Sequence, residues 1–151
     1  MSAKVEVADS PKQKDIQTLL RMATCACENL SVKCKGDPIR VAICHCFACQ
    51  KRTGSVFSSQ MRFLDDQIEK NGESKQYIRI GDSGGKIQYD FCPNCGTTVS
   101  WSIEGMVGFT VVALGCFADP KSFPDPVFSV YEDRAHSWAL NAVPIAAERW
   151  G

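Results

Sequence analysis

The grouping of the cysteines constrains this chain more than any other feature of its sequence. Seven of the nine cysteines stand in three short motifs, C-A-C at 25–27, C-H-C-F-A-C at 44–49 and C-P-N-C at 92–95. An odd total cannot pair completely as disulfides, and thiols this close in sequence are typical of metal sites or reactive sites. The fold has to bring each of these motifs close to the other groups of its site.

Composition helps to decide between disulfides and metal. The chain has 151 residues, of which 44% are hydrophobic and 23% charged, as expected for one domain with a core of its own. The first residues, MSAKVEVADSPKQKD, contain no apolar segment for export, and the longest apolar run, 111–114, is too short to cross a membrane. We therefore expect a cytoplasmic protein, in which clustered thiols stay reduced and bind metal or take part in catalysis.

Zinc takes four tetrahedral ligands at structural sites, and three protein ligands plus an open position at catalytic sites, so seven thiolates divide as four and three. C-P-N-C-G is typical of a zinc knuckle, because Pro93 sets the bend and Gly96 lets the chain curl behind the metal. The knuckle needs two more thiolates, and the spacing allows either Cys46 with Cys49 or Cys25 with Cys27. We favour the second choice, since the first leaves Cys44 without a metal. The sequence then predicts two zinc ions, a structural one on Cys25, Cys27, Cys92 and Cys95 and a catalytic one on Cys44, Cys46 and Cys49.

The rest of the chain is mainly β. Short runs with strand character lie at 30–35, 39–43, 55–63, 75–80, 86–91, 97–103 and 108–115, separated by Gly, Pro and Asn turn signals. Ser10 and Pro11 before an apolar face predict a short N-terminal helix near 11–20. We expect residues 1–20 to be an extension on a single domain of residues 21–151. Cys34 and Cys116 follow apolar residues of predicted strands and are interpreted as core residues.

Charge is balanced over the whole chain, with 17 basic and 17 acidic residues, which argues against a nucleic-acid-binding protein. It is not balanced locally, because residues 21–62 contain seven basic and two acidic residues. Lys51 and Arg52 follow the 44–49 motif directly and are the predicted contacts to an anionic ligand. His45 and His136 are not expected to be zinc ligands, since the flanking cysteines turn His45 away.

The order of these motifs resembles the glutathione-dependent formaldehyde-activating enzymes, a family that includes centromere-protein-V-like proteins. The resemblance runs from about Thr24 to Trp138 and depends on C-x-C, then C-H-C-F-A-C-Q-K-R-T-G-S, F-C-P-N-C-G-T and Y-E-D-R-A-H-S-W. It implies an Mss4-like zinc-binding β fold of several small curved antiparallel sheets, and the same division of cysteines into a structural quartet and a second zinc site. It also implies carbon-sulfur lyase chemistry on S-hydroxymethylglutathione, the adduct of glutathione and formaldehyde.

Two functions follow from such a site. Zinc held by three thiolates keeps a position for a substrate thiol and lowers its pKa, so that the sulfur can add to an aldehyde. The expected substrate is a small anionic thiol such as glutathione, with Lys51 and Arg52 near its carboxylates. The alternative is a non-catalytic interaction module of the centromere-protein-V or Mss4 kind, in which a protein side chain fills the fourth position. A homodimer is compatible with either function.

Overall fold

The computed structural model describes residues 19–142 and 148–149. The strands are β1 (Leu20–Thr24), β2 (Ser31–Lys35), β3 (Arg40–Cys44), β4 (Ser58–Leu64), β5 (Ile68–Asn71), β6 (Lys75–Ile80), β7 (Lys86–Phe91), β8 (Thr98–Ile103), β9 (Phe109–Ala113), β10 (Phe128–Val130) and β11 (Glu148–Arg149). The helices are α1 (Phe47–Thr53) and α2 (Ser137–Ala142), with 3-10 turns at Asp65–Gln67, Leu114–Cys116, Pro120–Ser122 and Glu132–Arg134. The predicted mainly β class is confirmed.

The strands form two sheets. A three-stranded sheet has the order β1-β2-β5, and an eight-stranded sheet has the order β11-β10-β3-β4-β9-β8-β7-β6. β6 pairs antiparallel with β7, and β7 with β8, as the short turns between them allow, and β3 pairs antiparallel with β4 although α1 lies between them. At one edge β10 instead runs parallel to both β3 and β11, so the expected antiparallel pairing does not hold there.

The two faces of the large sheet have different neighbours. One face packs on the small sheet, because Val41, Met61 and Val99 join Val32 and Cys34 in one apolar cluster. The opposite face carries the alternate residues of the same strands and surrounds a cavity. Alternation along each strand thus puts the core on one side and a candidate site on the other.

The strand runs predicted from alternation correspond to β2, β3, β4, β6, β7, β8 and β9, with boundaries that differ by up to three residues. Sequence reasoning missed the short strands β1, β5, β10 and β11 and both helices. The predicted helix at 11–20 lies outside the described residues except at its end, where Leu20 begins β1. The division at residue 20 stays a prediction. Within the described ranges, no helix has both the length and the apolar character needed to span a membrane.

Candidate metal centres and the cavity beside them

Four cysteines from two distant parts of the chain meet between the sheets. Cys25 and Cys27 follow β1, and Cys92 and Cys95 lie in the turn between β7 and β8; all four sulfurs lie within 4.8 Å of one another. The Sγ atoms of Cys25 and Cys27, and of Cys27 and Cys92, are 3.6 Å apart. Four sulfurs at about 2.3 Å from zinc stand about 3.8 Å from each other, whereas a disulfide measures about 2.05 Å. The quartet therefore fits a tetrahedral zinc ion.

Hydrogen bonds within the chain shape the knuckle at 92–97. The Gly96 N–H donates to the Cys92 carbonyl over 2.8 Å, and Gly96 has a φ of +76°, a conformation that favours glycine. The hydroxyl of Thr97 lies 3.2 Å from the Cys95 sulfur and, as the largest cause, lowers the pKa of Cys95 to about 5. The Leu30 N–H donates to the Cys25 sulfur over 3.2 Å. Such donors favour thiolate, the form that binds metal.

The second group is local in sequence. Cys44 ends β3, Cys46 caps the N-terminus of α1, and Cys49 lies in the first turn of that helix; the three sulfurs lie within 4.8 Å of one another. The Cys46 sulfur accepts the N–H of Cys49 over 3.3 Å. This thiol cap explains why α1 was not predicted from sequence, since helix caps are usually Ser, Thr, Asp or Asn.

The thiols of Cys44, Cys46 and Cys49 are buried, and each shifts the pKa of its neighbours. Hydrogen bonds from the thiols of Cys44 and Cys49 lower the pKa of Cys46, and the charge of Arg79 contributes in the same direction. The same contacts with Cys46 and Cys49, together with burial, raise the pKa of Cys44. Within the trio Cys46 is the thiol whose surroundings favour the thiolate, and a cation at the centre would favour that form in all three.

The trio opens onto a cavity of about 610 Å³. Its walls come from the face of the large sheet that points away from the core, with the hairpin turn after β6, the start of α1 and the segment after β10. No further His, Cys, Asp or Glu from the described residues joins the trio within ligand distance. A metal held there by these residues would face the cavity.

Positive charge lines this cavity. Its charged residues are four arginines and one aspartate: Arg40, Arg62, Arg79, Arg134 and Asp82. Arg134 donates to Asp82 over 2.6 Å, which neutralises part of its charge, whereas Arg79 donates to the Tyr89 hydroxyl over 3.0 Å. Sequence reasoning did not assign Arg79 or Arg134 to the site, because β6 carries no motif and Arg134, although it stands in the Y-E-D-R-A-H-S-W motif, lies far from the cysteines in the chain.

Lys51 and Arg52 lie on the other side of α1. They line a neighbouring opening of about 500 Å³, which shares Arg79 and Tyr89 with the first cavity. The Arg52 guanidinium donates to the Ser58 hydroxyl over 2.6 Å and stacks 4.3 Å from the centre of the Trp101 ring. Their predicted contact with substrate stays a prediction, and Arg52 also has a packing role that the sequence did not indicate.

The remaining residues singled out in the sequence lie away from the metal ligands. His45 is buried with its Nε2 3.2 Å from the Ser129 hydroxyl on β10, so its ring points away from the trio as expected. His136 is exposed, 3.3 Å from the Gln50 amide oxygen. Cys34 is fully buried in the core and Cys116 is half-buried against it, which confirms their interpretation as core residues.

Comparison with known protein families identifies the family of this chain. Residues 20–134 match the model of the glutathione-dependent formaldehyde-activating enzyme family. The chain belongs to this family. A crystal structure of a Rhodobacter sphaeroides protein is similar with a TM-score of 0.53 over 86% of this chain and 99% of that one, at 12% sequence identity. That likeness supports the fold alone, and a comparison with curated proteins found no match.

Proposed function

We propose that this member of the glutathione-dependent formaldehyde-activating enzyme family is a zinc-dependent enzyme of the carbon-sulfur lyase type. Its substrates would be a small anionic thiol such as glutathione and an aldehyde. The observation that carries the proposal is the trio of buried cysteines, which opens onto a cavity lined by arginines. The quartet of Cys25, Cys27, Cys92 and Cys95 would hold a separate, structural zinc, and the enzyme would work in the cytoplasm.

The chemistry of the trio follows from its ligands. Zinc bound by three thiolates would keep one coordination position for substrate and would favour the deprotonated form of a thiol. Addition needs no oxidant: a bond forms between the substrate sulfur and the aldehyde carbon, and the proton that leaves sulfur ends on the former carbonyl oxygen. The reverse reaction breaks the same carbon-sulfur bond.

The chain's own residues would bind and orient the reactants. Arg79 lines the same cavity as the trio and its charge lowers the pKa of Cys46, so it would reduce the repulsion between the thiolates and an anionic substrate. The Gln60 amide points at the Cys49 sulfur from 3.9 Å. Trp101 and Tyr89, both buried, line the cavity and would limit the access of water to the reacting carbon.

The test is the rate of adduct formation. Exchange spectroscopy by nuclear magnetic resonance measures the interconversion of formaldehyde, glutathione and S-hydroxymethylglutathione, with and without the zinc-loaded protein. We expect acceleration by the wild-type chain, none by Cys46→Ser, and an unchanged rate for the matched control Cys116→Ala, whose thiol lies outside both groups. A wild-type rate equal to that of buffer would overturn the proposal and favour the interaction module.

A further inference from the structure

The floor of the cavity is a ladder of facing residues on β3 and β4. Strand residues two apart share a face, so every second pair of this antiparallel ladder points into the cavity. The pairs on that face, in order along the strands, are Cys44 with Ser58, Ala42 with Gln60 and Arg40 with Arg62. The metal-binding sulfur therefore begins the row and two arginines end it.

The two arginines are directly opposite each other, an arrangement that destabilises a sheet unless something offsets it. Among the ion pairs of the described residues, none joins Arg40 or Arg62 to a carboxylate. Each guanidinium instead packs on a ring, Arg40 at 3.6 Å from the centre of Phe128 and Arg62 at 5.8 Å from that of Phe109. Aromatic contacts orient the guanidinium groups and leave both positive charges without an anion.

Burial makes the repulsion between the two guanidinium groups less favourable still. Both arginines are half-buried, and desolvation together with the charge of Arg40 lowers the pKa of Arg62. A half-buried pair of like charges is retained in a fold at a cost in stability. An anionic group bound between the two guanidinium groups would convert that repulsion into two charge-assisted hydrogen-bonding interactions.

The distance along the floor sets the size of the ligand. Arg40 and Cys44 are four residues apart on β3, which corresponds to about 13 Å between their Cα atoms. Long arginine side chains reduce the span that a ligand has to cover. In an extended tripeptide the middle residue lies about one and a half residues, or about 5 Å of main chain, from the terminal carboxylate, and the thiol side chain adds to that reach.

We propose that Arg40 and Arg62 form a carboxylate clamp for the end of the substrate that is remote from its sulfur. This inference rests on the proposed function, and it narrows the substrate class to thiols of tripeptide size with a terminal carboxylate. The clamp and the trio bind the two ends of one molecule, so small thiols that reach only the metal bind less tightly.

A thermodynamic cycle between protein and ligand tests the clamp. Calorimetry on the zinc-loaded full chain compares glutathione with its glycine monoethyl ester and with cysteinylglycine, which lacks the γ-glutamyl carboxylate. The protein variants are Arg40→Gln and Arg62→Gln, with Lys121→Gln as a matched loss of one exposed charge outside the cavity. We expect each arginine variant to weaken glutathione binding about tenfold or more, and the control to leave it unchanged.

The modified thiols and the melting temperature distinguish a contact from a general charge effect. One of the two modified thiols should bind the wild type as weakly as glutathione binds Arg62→Gln, and the arginine variants should not weaken it further. Arg62→Gln should melt no lower than wild type, since it removes a like-charge contact and only a distant ring contact, 5.8 Å from the centre of Phe109. The clamp would be overturned if the arginine variants weakened the binding of all three thiols by the same factor. It would also be overturned if they left the affinity for glutathione unchanged. If no thiol binds the wild-type chain, the proposed function fails and the clamp with it.

Discussion

At the scale of single residues, the arginines near the trio differ in what holds their guanidinium groups. Arg134 is paired with a carboxylate, Arg79 with a phenol, and Arg52 with a hydroxyl and an indole ring. An arginine whose contacts are all within the protein contributes to stability, whereas one with an unused donor edge is available to a ligand. Arg52 makes its contacts with Ser58 and Trp101, whereas its neighbour Lys51 is exposed, although both carry the same charge.

We expect Arg52→Ala to lower the free energy of unfolding by about 1 to 3 kcal/mol, because it removes a hydrogen bond of a charged group and a cation-π contact. Lys51→Ala, the matched control on the same helix, should leave stability unchanged, as expected for an exposed side chain. Urea unfolding of the zinc-loaded proteins measures both. If the two variants unfold at the same urea concentration, Arg52 is a solvated residue after all and its contacts with Ser58 and Trp101 carry no energy.

The knuckle glycine gives a second prediction at this scale. Gly96 has a φ of +76° with no atom within 4 Å of an added Cβ, so Gly96→Ala meets conformational strain without a clash. The left-handed conformation costs about 1 to 2 kcal/mol for a residue with a side chain. Gly105→Ala is the control, since it has equal space and no positive φ. Thermal unfolding should show a lower melting temperature for Gly96→Ala alone; a similar change in both variants would indicate a cause other than the turn.

At the scale of elements, the two cysteine groups occupy different positions in the fold. The quartet joins the turn after β1 to the turn between β7 and β8, and Cys25 and Cys92 belong to the main core. The trio joins only the end of β3 to the start of α1. A metal in the quartet would therefore hold two sheets together, whereas a metal in the trio would hold one local turn.

We expect Cys95→Ser to unfold the protein and Cys46→Ser to leave a folded chain with one zinc and no activity. Binding of structural zinc contributes about 10 to 16 kcal/mol in small peptides, comparable with the whole stability of a domain, about 5 to 15 kcal/mol. Circular dichroism and zinc analysis of both variants measure the difference. Equal melting temperatures would contradict this division between a structural and a working site.

Elements with a clear pattern could be predicted from sequence, and those fixed by tertiary contacts could not. β6, β7 and β8 are predicted by the alternation of apolar and polar residues between turn residues. The division of the cysteines is predicted by the number of ligands that zinc takes, four at a structural site and three at a catalytic site. α1 could not be predicted because a cysteine caps it. β10 could not be predicted because its three residues form a strand only by pairing with β3 and β11. Arg79 lies at the site because of the order of the strands in the large sheet, and no local pattern in β6 predicts that order.

At the scale of the whole molecule, the metal content and the fold should depend on each other. We expect two zinc ions per chain after gentle purification, because the described residues contain two separate groups of cysteines with ligand spacing. A strong chelator should remove both ions and unfold the chain, since the quartet is part of the core. Elemental analysis and circular dichroism along a chelator titration provide the measurement. One ion per chain, with Cys44 reactive towards thiol reagents, would instead favour a single ribbon site.

The net charge of the molecule is zero, yet one cavity contains four of its arginines and a single aspartate. Glutathione should therefore be attracted to the cavity by a local field, and its affinity should fall as the Debye length falls from about 30 Å at 0.01 M salt to about 3 Å at 1 M. S-methylglutathione carries the same carboxylates but cannot present a thiolate, so we expect it to bind much more weakly at every salt concentration. Calorimetry of the two ligands across this range separates the contributions, because the salt slope reports the arginines and the gap between ligands reports the sulfur. Equal affinity for both ligands would exclude coordination through sulfur, and a flat salt dependence would show that the arginine charges do not act on the bound thiol.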